Sequence, residues 1–222
     1  MNNRIGDCVI AGALHECILW NAEAEKHPPI GDEAALNNYI AVTGYVPGPE
    51  LTCPLNEVDQ QPKNPTDTGA DPGTLAEYRL TKGLTDDQGG VHKIGAYVAL
   101  QPGNWTELWY ATYYFDGVGL GFQLPKIWMD DFPQPWDHVD NPKIDGGHYV
   151  TSVGWSDDDH ALLVSWGRTV ELTKAGYTQP GLSDETYAYA SDEKLLHGED
   201  MDGLNWSQLR HDIELLKAGL ST

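Results

Sequence analysis

Apolar residues recur at helical spacing through "CVIAGALHECILWNAEA", from Cys8 to Ala24, with no Gly or Pro after Gly12. This predicts a buried helix with Asp7 as its N-cap. A second helical pattern, "DEAALNNYIAVTG", ends at Gly44, and a third, "GTLAEYRLTKG", has Gly83 at its C-cap position. Residues 45–72 between them are dense in Pro, Asn, Asp and Gly and read as irregular loop rather than a linker. After "DDQGG" the period changes: "VHKIGAYVAL" and "GVGLGFQLP" are strand-like, flanking a helix "NWTELWYATYYF" capped by Asn104. "HYVTSVGW" and "HALLVSWG" form a hairpin through "SDDD", and "RTVELT" extends the sheet. The tail "NWSQLRHDIELLKAG" is an amphipathic helix whose Trp206, Leu209, Ile213 and Leu216 stripe docks on the body. The expected class is α+β: a helical lobe over about 1–88, a sheet-rich lobe over about 89–190 and a docking helix over about 204–219, in one unit spanning 1–222.

Composition narrows the setting. A chain of 222 residues suffices for one unit with a substantial core, and 40% hydrophobic content with eight Trp and eleven Tyr excludes disorder. Thirteen Lys and Arg against 34 Asp and Glu leave a formal charge of -21, which opposes binding to nucleic acid or anionic lipid. The acidity sits in turns such as "SDDDH" and reads as a solvated surface. Cys8, Cys17 and Cys53 are an odd, widely spaced set, unlike a disulfide framework or a zinc ribbon, so a reducing, cytoplasmic setting is expected. Neither a signal peptide nor a membrane span is evident, and with seven residues before Cys8 no inhibitory propeptide is expected.

Candidate chemistry begins at Cys8. A helix start supplies a positive field that favours a thiolate, and first-turn N–H groups are free to donate to an oxyanion. A packed, inert thiol is the alternative reading. Of eight histidines, His148 stands out in "DGGHYVTSVGW", where it is expected to begin a strand beside two glycines that leave a cleft open to its ring. No pair of histidines has metal-ligand spacing backed by carboxylates, so no metal or other cofactor is expected.

Two segments carry a resemblance. "NNRIGDCVIAGA" resembles the "QGxCGSCWAF" segment of papain-like cysteine proteases, and "GGHYVTSVGWSDDDHALLVSWGRTVELTKAGY" is similar to their "HAVxxVGYG…YxxxKNSWGxxWGxxGY" segment. Uncharacterised bacterial and bacteriophage papain-like sequences are also similar. The resemblance implies a papain-like fold and a cysteine hydrolase acting on a peptide or amide bond through a thioester. Cys8 would be the nucleophile, His148 the base and acid, Asn2 the oxyanion-hole amide and Trp166 the indole over the histidine. The family's histidine-orienting asparagine falls on Val164. The replacement acceptor is then expected to be the Ser165 hydroxyl brought round by a bulge, a backbone carbonyl, or a water beneath Trp166. The runner-up is a catalytically silent papain-like module meeting a protein partner in a viral or bacterial assembly. A third reading has Trp128 and Trp136 stacking on sugars.

Overall fold

The computed structural model describes residues 3–23, 26–197 and 205–219. Helix α1 (Cys8–Glu23) is followed by α2 (Asp32–Thr43), which stops where Gly44 turns left-handed (φ 76°) and returns its N–H to the Ile40 carbonyl. Residues 45–72 hold only two short 3₁₀ turns, Pro49–Leu51 and Leu55–Gln60. Helix α3 (Pro72–Thr81) is started by Asp71, whose side chain accepts from the Thr74 N–H at 2.7 Å, with Pro72 at the tolerated first position. Lys82 takes its C-cap, and Gly83 lies one residue beyond.

The stretch "VHKIGAYVAL" divides. β2 (Val91–His92) pairs with β1 (Leu84–Thr85) in a two-stranded ribbon, whereas β3 (Ile94–Leu100) joins the main sheet. Then come α4 (Trp105–Phe115), capped by the Asn104 side chain as expected, β4 (Val118–Pro125), α5 (Lys126–Asp130), β5 (Ile144–Asp157), β6 (His160–Ser165) and β7 (Arg168–Thr173). The chain continues through α6 (Lys174–Thr178), β8 (Ser183–Ser191), α7 (Asp192–His197) and α8 (Trp206–Gly219). The main sheet is antiparallel with order β3-β8-β4-β5-β6-β7. An α+β class follows directly.

Each face of this sheet is covered by a different core, and the two-residue period of β5 assigns its side chains to one or the other. Tyr149 joins the cluster built by Ile10, Ala13 and Leu14 of α1 with Tyr39 of α2 and Leu75 of α3. Val150 joins the opposite cluster, with Leu108 of α4, Leu120 and Leu163. Close approach dictates two glycines at the α1 contact. A methyl group at Gly12 would meet the Tyr149 ring at 2.6 Å, and one at Gly119 would overlap the Tyr149 hydroxyl. Thr151, on the same face as Tyr149, donates its hydroxyl to the Gly12 carbonyl at 2.8 Å.

Trp128 and Trp136 are 4% and 0% exposed and stack at 5.1 Å between centroids. Their faces are spent in the core, which overturns the sugar-stacking expectation. At the far end Trp206 is buried against Ala190 and Leu195, with Leu209 and Ile213 half-buried beside it; the Leu216 side chain lies outside the described residues. No helix among the described residues is long and apolar enough to cross a membrane.

Candidate active site

The segment leading into α1 is clamped to the irregular loop. The Gly6 N–H donates to Asp67 Oδ1 at 2.9 Å, and the Tyr39 hydroxyl donates to the same oxygen at 2.6 Å. Arg4 Nη1 donates to the Glu50 and Cys53 carbonyls, each at 2.8 Å. These bonds hold Cys8 at the mouth of α1, where its thiol is half-buried. Asp7 occupies the N-cap position, since its carbonyl accepts from the Ala11 N–H at 2.9 Å. Its carboxylate does not cap: both oxygens are buried without a hydrogen-bond partner. That corrects half of the expectation.

Cys8 and His148 line one cavity of about 510 Å³, together with Gly6, Gly69, Gly121 and Gly147. His148 does not begin its strand, which starts four residues earlier at Ile144 because "IDGG" already pairs with the end of β4. His148 is 8% exposed, and its Nε2 lies 3.0 Å from Ser165 Oγ. Among the three acceptors weighed, the hydroxyl is the one beside the ring, although no bulge delivers it. Thr151 faces Val164 in register, so continuing the ladder one step sets Ser165 opposite Val150, diagonal to His148 on the same face. Val164 shares the other face with Thr151.

It is Trp166 that leaves the strand alternation. Trp166 and Gly167 form the two-residue turn between β6 and β7, with φ of 44° and 71°, as a type I′ hairpin requires. The turned indole stacks on His148 at 4.7 Å between centroids and 13° between planes. Trp136 approaches the same ring edge-on at 6.3 Å. Enclosure by these indoles strips water from the imidazole, and burial lowers its pKa to about 4. Burial likewise raises the Cys8 thiol; the neighbouring Asp7 charge adds to this, while backbone groups of Tyr149, Val9 and Cys8 oppose it. Each side chain on its own therefore rests uncharged at neutral pH.

Asn2 lies outside the described residues. Sequence reasoning missed Arg4, Tyr39 and Asp67, because the bonds they make join segments distant in the chain, and such contacts leave no local signal. Among the described residues no three His, Cys, Asp or Glu side chains gather as a metal-ligand set.

Solved structures resemble this fold. Xylellain, a cysteine protease from Xylella fastidiosa, superposes with a TM-score of 0.61 at 14% identity over 84% of this chain and 80% of its own. The fold is papain-like. A Carica candamarcensis cysteine protease in complex with E-64 superposes at 0.58 with 11% identity, over 84% of this chain and 89% of that one. Bromelain from Ananas comosus, also in complex with E-64, superposes at 0.55 with 11% identity over the same shares. No protein-family model matches the chain, and a comparison with curated proteins finds no match. At such identities the papain-like likeness concerns the backbone, and roles for individual side chains rest on their geometry here.

Proposed function

We propose that the chain is a cysteine hydrolase that cleaves a peptide or amide bond, working as one unit over residues 1–222 with its helical part near 1–88, its sheet-rich part near 89–190 and its terminal helix near 204–219. One observation carries the reading: a thiol at a helix start and an imidazole held by a hydroxyl and an indole line the same cavity in a papain-like fold.

In this reading the His148 Nε2–H donates to the Ser165 hydroxyl, which leaves the lone pair on Nδ1. Because burial opposes charge on both groups, the thiol proton moves to Nδ1 as the sulfur attacks the carbonyl carbon, rather than beforehand. The Cys8 N–H at the helix start stabilises the oxyanion, with the Asn2 side chain as its proposed second donor. The intermediate collapses to a thioester as Nδ1–H protonates the leaving amine. A water activated by the same nitrogen then hydrolyses the thioester and restores the thiol.

E-64, present in two of the similar structures, supplies the test. Incubation followed by peptide mass spectrometry is expected to place an adduct on Cys8 and none on buried Cys17, and His148→Ala should suppress it at least about 100-fold. An unmodified Cys8, or labelling indifferent to His148, would overturn the hydrolase.

A further inference from the structure

Among the described residues, four glycines line the cleft that holds Cys8 and His148, and three of them have a structural reason to be glycine. A methyl group on Gly6 would press on Asp67 Oδ1 at 3.2 Å, one on Gly121 would meet the Glu185 carbonyl oxygen at 2.9 Å, and Gly69 is left-handed with φ of 76°. Gly147 has no such reason. Its φ lies outside the left-handed region, and no described atom lies within 4 Å of the place a methyl group would take. It nevertheless sits inside β5, paired with Gln123 of β4. Glycine weakens a strand there, because it surrenders the most backbone freedom on folding and has no side chain to pack.

Strand alternation says where the missing side chain would go. Gly147 has the parity of Tyr149 and Thr151, whose side chains face α1 at Gly12. The backbone of Tyr149 reaches the Cys8 thiol, so a side chain two residues earlier on the same face would stand in the cleft near the sulfur rather than in the core. Gly146 is the natural comparison. It too has an ordinary φ and open space around it, yet it points to the other face and does not line the cleft.

Glycine inside a strand, with no packing or backbone demand for it, marks a place that a ligand approaches closely. We propose that Gly147 is a specificity-determining position: carrying no side chain, it keeps the cleft wide enough for a bulky substituent beside the bond that is cleaved. The assignment rests on the hydrolase reading and adds to it a class of substrate, a peptide or amide whose large side chain fills this space.

Two thiol reagents of different size test this on the full chain: iodoacetamide, which needs only the sulfur, and E-64, which must lie along the cleft. In Gly147→Val the rate of E-64 labelling at Cys8 is expected to fall at least about tenfold, while iodoacetamide labelling stays within about twofold. The urea midpoint should be at or above that of the wild type, because valine suits a strand and restricts the unfolded chain. Gly146→Val, one residue away, should keep both labelling rates. E-64 labelling untouched by Gly147→Val, a fall shared by iodoacetamide or by Gly146→Val, or a lowered midpoint in Gly147→Val would each overturn the proposal, the last by showing that the fold itself needs the glycine. The two readings fail separately. E-64 labelling indifferent to His148→Ala would defeat the hydrolase even where Gly147→Val blocks the reagent, and labelling that depends on His148 but ignores Gly147→Val would defeat only the role of Gly147.

Discussion

Asp7 shows how a single side chain can oppose the fold that holds it. Its carboxyl pKa lies near 6 in the folded chain and near 3.8 in an open one. Between those values the native state keeps a proton that the unfolded state has released, so stability falls as pH rises through this window. The loss is complete above pH 6 and amounts to about 3 kcal/mol. Asp7→Asn keeps the shape and removes the charge. It should stabilise the protein by up to about that amount at pH 7.5, with the gain gone by pH 4, as urea denaturation midpoints at the two pH values would reveal. His148 titrates with the opposite sign, because burial depresses its pKa: its contribution is present above pH 6.5 and is lost as pH falls toward 4. That slope is common to both proteins and cancels in the comparison.

At the scale of elements, the β6–β7 hairpin does two things for His148. Its strand alternation brings Ser165 beside Nε2, and its left-handed turn lays Trp166 across the ring. Ser165→Ala separates these contributions, since it leaves the turn and the indole in place. Turnover is expected to fall about tenfold or more, near 1.4 kcal/mol of transition-state stabilisation, with the fold retained by circular dichroism. Turnover unchanged in this variant would exclude the hydroxyl as the orienting group. The pairing was partly legible beforehand: Val164 cannot accept a hydrogen bond, and Ser165 is its nearest polar neighbour in the chain. The bulge expected to deliver it was unnecessary. The asparagine position of the family pattern points to the opposite face in this register, so the adjacent residue serves the ring instead. Local signals also located α1, α4 with its Asn104 cap, and the β5–β6 hairpin, because each is a periodic run closed by a cap or turn residue. They failed at Lys93, where one strand-like run serves two different sheets, and at the start of β5, where "IDGG" pairs without any β propensity of its own.

The molecule as a whole is tied together by a buried ion pair. Arg79 of α3 and Glu16 of α1 meet at 2.6 Å, both fully enclosed. The guanidinium carbon lies 4.4 Å from the Tyr189 ring centroid and 5.2 Å from that of Trp20. Tyr149, one residue from the candidate base, bonds Tyr189 through its hydroxyl at 3.1 Å and packs on Gly12 of α1. Helices and sheet are thus coupled through the ground immediately beneath Cys8 and His148. Glu16→Gln would strand a buried guanidinium and should cost about 3–5 kcal/mol. The double variant Glu16→Leu with Arg79→Met, which removes both charges, should recover most of that loss. Equal destabilisation by the single and double changes would mean that packing, not charge, holds these elements together.

Periodicity, caps and turn residues lie within a few positions of one another, so the sequence by itself determined most helices and strands, the α+β class and the two residues worth testing as nucleophile and base. Contacts between distant segments carry no such signature. That Asp67 and Tyr39 hold Gly6, that Glu16 finds Arg79, and that Trp128 and Trp136 turn inward were decided only when the chain closed on itself. The Asp7 carboxylate is the clearest case. Sequence places it correctly at the start of a helix, but whether such a group bonds to the backbone, to water or to nothing depends on what the rest of the fold leaves beside it, and here it leaves a cavity.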